Sequence, residues 1–288
     1  MRPNLVLARV GAQSLHPEWI DPSRPRSWDL RLVPYQPIPT QGDLDCTVVE
    51  VVPGPKWAGI RHALRTWQGW RSYERVWIPD DDIRTDQQLV NRMFEVADAI
   101  GFDLFAPTLD QASYYAHFST MRNESFHARW MGFVEIMAPG FRTAALERLL
   151  PTLDETDTGW GWGLDSVWPK LLGYENVGVI DATAMTHTRP VGQLRDPALR
   201  QRIHDESDRL QSQYDCAQVH TTFAACGADL RRIELNPEEL LWEVVRGWQY
   251  LIEGDPRVLS WIVDFHRQHF APPSYPTEGT PSPPRWQP

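Results

Sequence analysis

The chain has little of what marks secreted, membrane-spanning or nucleic-acid-binding proteins. It has only three cysteines, Cys46, Cys216 and Cys226, and no Cys-x-x-Cys spacing. That argues against a disulfide framework or a cysteine zinc site and reads as buried thiols in a reducing compartment. No uninterrupted apolar run is long enough to cross a bilayer, and the N-terminus passes almost at once into Leu5-Val6-Leu7 without a leader-like apolar stretch or cleavage pattern. Positive charge is in deficit, with 28 Lys and Arg against 38 Asp and Glu and a formal net charge of −10. Non-specific attraction to nucleic acid or to an anionic membrane is therefore disfavoured. The expected location is cytoplasmic, with no nucleic-acid partner; peripheral membrane contact stays open.

What is present suits one large α/β domain with a helical appendage. Its 288 residues are 42% hydrophobic and 23% charged, ordinary for a globular chain with ample core. Fourteen tryptophans are many for this length. Most are expected in the core, although indole also stacks on the apolar face of sugars. Hydrophobic runs predict strands at 4–10, 29–33, 46–52, 75–79, 102–106, 133–137 and 177–180. Helices are expected at 58–66, 143–150, 166–172 and 87–100, the last capped by Asp86 and closed by Gly101. This alternation predicts a mainly parallel sheet covered on both faces. After Pro190 the pairs Asp196-Pro197, Asn236-Pro237 and Asp255-Pro256 each read as an N-cap with proline at N1. The expected division is an α/β unit over 1–190, a helical region over 191–270 and a Pro-rich tail over 271–288.

Three segments carry chemistry. The run Val76-Trp77-Ile78-Pro79-Asp80-Asp81-Asp82 delivers three carboxylates to the carboxyl end of a strand, where α/β sheets bind ligands. Adjacent carboxylates repel unless a cation sits among them. Asp80 and Asp82 share a side in extended chain, so Mg²⁺ or Mn²⁺ with a substrate phosphate would suit them; the plainer reading is a solvated acidic turn before a helix. An EF-hand would need glycine at Thr85 and glutamate at Asn91, and a phosphatase-type motif would need threonine at Arg84. The second segment, Gly159-Trp160-Gly161-Trp162-Gly163-Leu164-Asp165, reads as a mobile loop that presents planar faces to a sugar and a carboxylate to a hydroxyl proton, or as a tryptophan plug with Asp165 as an N-cap. The third is His187, which can complete a manganese site or be structural. Glu135, set among apolar neighbours, must be paired or functional. Arg189 either meets a pyrophosphate or forms a surface ion pair.

In this order the segments resemble metal-dependent GT-A-fold glycosyltransferases. Trp160-Gly161-Trp162-Gly163 looks like the loop of the β-1,4-galactosyltransferases. Trp77-Ile78-Pro79-Asp80-Asp81-Asp82-Ile83, Phe133-Val134-Glu135-Ile136-Met137-Ala138-Pro139 and Gly178-Val179-Ile180-Asp181 are similar to a little-characterised GT-A-like family of plants and bacteria. The likeness spans roughly residues 1–190. It implies a GT-A-like α/β fold and transfer of a sugar from a nucleotide-diphosphate sugar, a UDP-sugar foremost, to a hydroxyl of a glycan or small-molecule acceptor, with Mn²⁺ or Mg²⁺. Carried over by position, Asp82, Asp80 and His187 would hold the metal. Arg9, Lys56, Gly59, Arg61, Asp80, Asp81 and Trp162 would line the nucleotide-sugar. Asp165 and Glu135 would act on the acceptor. Where the galactosyltransferase loop continues Gly-Glu-Asp, this chain has Leu164-Asp165-Ser166. The base is then Asp165, Glu135 or Asp181, or the enzyme retains configuration. Two other classes compete: a GT-A-like binding protein without turnover, and a metal-dependent phosphohydrolase.

Overall fold

The computed structural model describes residues 1–191, 194 and 196–270; the Pro-rich tail expected over 271–288 lies outside them. In chain order the elements are β1 (Asn4–Val10), β2 (Trp28–Pro34), β3 (Thr47–Val48), α1 (Lys56–Thr66), β4 (Arg75–Trp77), β5 (Ile83–Arg84), α2 (Gln87–Ile100), β6 (Leu104–Leu109), β7 (Ala128–Gly132), β8 (Gly140–Arg142), α3 (Thr143–Leu149), α4 (Leu164–Leu171), β9 (Val177–His187), α5 (Pro197–Gln213), β10 (Val219–Cys226), α6 (Pro237–Gly247), α7 (Gln249–Gly254) and α8 (Arg257–Phe270). The strand order is β10-β7-β9-β6-β8-β4-β1-β2-β3, with β5 paired to β9 off that path. Pairing is parallel among β1, β2, β3 and β4 and between β6 and β9. It is antiparallel where β8, β7 and β10 join, so the α/β sheet is mixed.

Strand β1 shows why this sheet is buried on both faces. All seven of its residues are buried. Val6, Ala8 and Val10 enter one apolar cluster with α2 and α6 to α8, while Leu5 and Leu7 enter the other with α1, α3 and α4. Side chains alternate along a strand, so a continuous apolar run is what a strand between two helical layers requires. Helix α2 ends as its sequence dictates. Asp86 accepts from the backbone N–H groups of Gln88 and Leu89, and Gly101 closes it at φ 82°.

Two expected strands differ, and strand β10 was not expected. Over 46–52 only Thr47 and Val48 pair, at the sheet edge and exposed. Beyond them Val49 and Val52 donate to Leu32 and Pro34 carbonyls in irregular chain before Pro53-Gly54-Pro55 turns it. The strand expected at 133–137 lies one step earlier, as β7. Arg129 interrupts its apolar pattern, yet its guanidinium is sealed against Asp181 at 2.8 Å with both side chains fully buried. Strand β10, in the region read as helical, returns to pair with β7; its residues are good strand formers, but His220, Thr221 and Thr222 break the continuous apolar run by which the other buried strands are read.

Candidate functional site

The acidic run is positioned by two backbone ladders. Beyond β4, the N–H of Ile78 donates to Pro139 O and that of Asp80 to Met137 O, each at 2.8 Å. This lays the chain beside the turn that carries Glu135. After Asp82 the chain forms β5, where Ile83 pairs with His187 and Arg84 with Thr186. Thr188 then donates to Asp82 O from its N–H at 3.1 Å and from its hydroxyl at 2.8 Å. The register of β5 on β9 is therefore what brings the late histidine to Asp82 from far along the chain.

Each of the three acids meets a different base. Asp80 Oδ1 lies 2.6 Å from Lys56 Nζ. Asp82 Oδ2 lies 3.3 Å from His187 Nε2. Asp81 points the other way: its carboxylate accepts from Gly11 N–H at 2.7 Å, from Tyr35 Oη at 3.3 Å and from Arg189 at 3.0 Å. Asp81 and Arg189 thus tie the loops after β1 and β9 together. His187 Nδ1 lies 2.7 Å from Tyr114 O, a bond that requires a proton on Nδ1 and turns Nε2 toward Asp82. Burial pulls the His187 pKa down, but hydrogen bonding and charge from Asp82 more than offset this and raise it. Burial likewise pushes Asp82 up, and His187 holds it below the usual carboxylate range.

Lys56, one of only two lysines in the chain, is the first residue of α1. Its three N–H donors are used: Ile136 O at 2.9 Å, Met137 O at 2.6 Å and Asp80. Burial lowers its pKa against the opposing charges of Asp80, Asp82 and Glu135. Glu135 is pushed up to about 7 by burial, with His187 opposing and Asp165 and Asp80 adding to the rise. Asp165, 7% exposed, is also pushed up to about 7 by burial, with Ser166 at 3.2 Å opposing. Asp80, Asp82, Glu135, Asp165, Lys56 and His187 therefore converge from separate parts of the chain. Two of the carboxyls titrate near neutrality, which suits proton transfer.

The Gly-Trp segment, read as a mobile loop or a tryptophan plug, is bonded to its surroundings at several points. Gly159, Gly161 and Gly163 all have positive φ, at 72°, 79° and 97°, which explains the alternating glycines. Gly159 O accepts from the N–H groups of Trp57 and Ala58 at 3.0 and 3.3 Å. Thr158 donates from N–H and hydroxyl to the two oxygens of Glu206 at 2.7 and 2.8 Å. Trp162 packs edge-on against His204 of α5. The loop is docked to the first turn of α1, the same turn that carries Lys56.

Other expected site residues bond elsewhere. Arg9, 3% exposed, donates to Val33 O at 3.0 Å, Gly54 O at 2.8 Å and Val52 O. A Cβ at Gly59 would fall 2.4 Å from that guanidinium, so Gly59 is glycine to admit Arg9. Arg61 donates to Leu153 O at 3.1 Å. Among the described residues no hydrogen bond or ion pair joins Arg9, Arg61 or Trp162 to Asp80, Asp82 or Glu135. Asp181 is taken by Arg129 and by Asn123 N–H, a structural role rather than that of a base. Sequence reasoning missed Ser113 and Tyr114, which hold the backbone and ring of His187, and Lys56 as the partner of Asp80. A lysine opening a helix in a lysine-poor chain was the available signal.

The residues fit a divalent cation in part. Asp82 Oδ1 and Glu135 Oε2 are buried without a hydrogen-bond partner, a costly state that a cation or ligand would relieve. Two ligands at about 2.1 Å and a right angle on one ion stand about 3 Å apart, close to the spacing of Asp82 and His187. No group of three His, Cys, Asp or Glu able to hold a metal occurs among the described residues. Asp80 Oδ1 is engaged by an ammonium, so substrate and water would complete the shell.

No family model and no curated protein matches the chain. Among solved structures it is similar to S. aureus TarS in complex with UDP, with a TM-score of 0.48, 12% identity and coverage of 76% of this chain and 68% of that one. It is also similar to glucosyl-3-phosphoglycerate synthase from Mycobacterium tuberculosis in complex with Mn²⁺, UDP-glucose and phosphoglyceric acid, with a TM-score of 0.46, 12% identity and coverage of 81% and 86%. No described helix is long and apolar enough to cross a membrane.

Proposed function

We propose that the protein is a glycosyltransferase that moves a sugar from a nucleotide-diphosphate sugar, a UDP-sugar foremost, to an acceptor hydroxyl. The observation that carries this reading is the convergence of Asp80, Asp82, His187, Lys56, Glu135 and Asp165 beyond the carboxyl end of β4, with two buried carboxylate oxygens left unpartnered. Asp82 and His187 would hold Mn²⁺ or Mg²⁺, with the donor's phosphate oxygens among the remaining ligands. Bound there, the cation offsets charge on the departing diphosphate. Lys56 keeps Asp80 facing the donor and fixes the turn of Glu135. Glu135 or Asp165, each titrating near 7, accepts the proton of the attacking hydroxyl. The anchored Gly-Trp segment walls the site without having to close. A binding protein without turnover is the second reading. It is favoured by the one-to-one pairing of the acids with Lys56, Arg189 and His187, which already neutralises the cluster.

Calorimetric titration of UDP, GDP and CDP, with and without Mn²⁺, tests the site on wild type and Asp82→Ala. We expect one nucleotide to bind in a metal-dependent manner and Asp82→Ala to weaken it at least a hundredfold. Absence of metal-dependent binding to all three would return the acidic run to a structural turn. Release of nucleotide from the matching donor only when acceptor is added then separates transferase from binder.

A further inference from the structure

The segment that holds His187 also forms one wall of a cleft. This cleft has a volume of about 340 Å³ and is lined by Asp110, Gln111, Ala112, Arg122, Glu124 and Tyr250, a size suited to a small organic ligand. The connection to the acidic cluster is direct. Asp110 accepts from the Thr186 hydroxyl at 2.5 Å. Ser113 Oγ accepts from His187 N–H at 3.0 Å, and Tyr114 exchanges backbone and ring bonds with His187.

The polar lining divides in two. Asp110 is spent on Thr186, Ala112 N–H and Ser113. Gln111, Arg122 and Glu124 are exposed, and their side chains make no hydrogen bond or ion pair among the described residues. They present an amide, a forked donor and an acceptor toward a ligand. Aromatic surface stands beside them. Tyr250, on α7, donates its hydroxyl to Arg122 O at 2.7 Å, which fixes its ring. Tyr114 and Tyr115 are 50% and 41% exposed, and Tyr115 lies close enough to Tyr250 to perturb its hydroxyl. The half-buried Tyr250 ring in the lining, set against the unpaired donors and acceptors, suits a ring with one apolar face and a rim of hydroxyls. Arg122 stands against the two carboxylates Asp110 and Glu124 of the lining, an excess of negative charge that disfavours an anion and leaves a neutral ligand.

We propose that this cleft is a subsite for a neutral sugar, the acceptor of the reaction, seated against Tyr250 and beside Arg122 and Glu124. Only the word acceptor rests on the transferase reading; sugar binding does not. Saturation-transfer NMR with the methyl glycosides of glucose, galactose and N-acetylglucosamine tests it on wild type, Arg122→Ala and Glu124→Ala, with UDP and Mn²⁺ titrated in parallel. At least one glycoside is expected to receive saturation from wild type. Each substitution should weaken that binding tenfold or more and leave UDP affinity and melting temperature unchanged, since both side chains are exposed. No saturation transfer to any of the three, or binding indifferent to both substitutions, overturns the subsite. Sugar binding lost in the variants while UDP fails to bind wild type upholds the subsite and removes the transferase reading.

Discussion

Asp165 is a carboxyl that burial holds protonated to about pH 7. The folded state therefore binds its proton more tightly than the unfolded chain does. Its contribution to stability is full below about pH 4 and is lost as pH rises through 7. At 1.36 kcal/mol per unit the loss is bounded at about 4 kcal/mol. Asp165→Asn should remove this fall, so urea midpoints of variant and wild type should converge at low pH and separate in favour of the variant by pH 8. Parallel curves would mean that the folded carboxyl is solvated. Lys56 has the opposite character, since removing it strands partners. Lys56→Met leaves Asp80 and two carbonyls without their donor, at a cost of about 1–3 kcal/mol, because the Asp80 side chain is 37% exposed and water can replace part of what is lost. Adding Asp80→Asn to that variant should cost little more, because the two groups share one interaction. Additive losses in denaturant titration would refute the coupling.

At the scale of elements, the glycines of the Gly-Trp segment make the sharpest case. A Cβ on Gly161 would stand 2.4 Å from the Trp57 ring, at a φ of 79°, and Trp57 is itself buried. Gly161→Ala combines left-handed strain with overpacking and should cost about 3 kcal/mol or more, a fall in melting temperature of about 6 °C or more. Gly42→Ala, at φ 57° with open space around it, should cost only about 1–2 kcal/mol. Equal effects would show that strain alone matters at Gly161. These glycines also mark how far the sequence was legible. Their alternation announced an unusual loop, but mobility and packing demand the same residue type, and only the contact with Trp57 separates them. Strand β1 and helix α2 were readable to their ends because periodicity and caps are local. Strand β10 and the shift of β7 were not, because Arg129 is neutralised by distant Asp181 and the Thr221 hydroxyl is taken by distant Phe265 O. Likewise Asp82 and His187 were legible as ligand types, whereas Lys56 against Asp80 depends on where α1 lands.

The whole molecule binds its helical C-terminal region to the sheet in two ways. Strand β10 extends the sheet beside β7. Leu240, Val244, Trp248, Leu251, Val258 and Ile262 enter the same apolar cluster as Val6 of β1 and Trp77 of β4. The Trp248 indole donates to Met121 O at 3.0 Å and lies under the Arg129 guanidinium. That guanidinium in turn meets Asp181 on β9. A fully buried ion pair is weak evidence for stability, but removing one partner leaves an uncompensated charge. Asp181→Ala should therefore cost about 3–5 kcal/mol and loosen the sheet and the helices together. It follows that heat unfolds residues 1–190 and the helical region in one transition, with van't Hoff and calorimetric enthalpies equal, and that Asp181→Ala lowers that single transition without splitting it. Two resolved peaks in the wild type would mean that the shared cluster couples the regions less than its contacts imply. A split only in the variant would mean that the Arg129–Asp181 pair, rather than apolar burial, joins them.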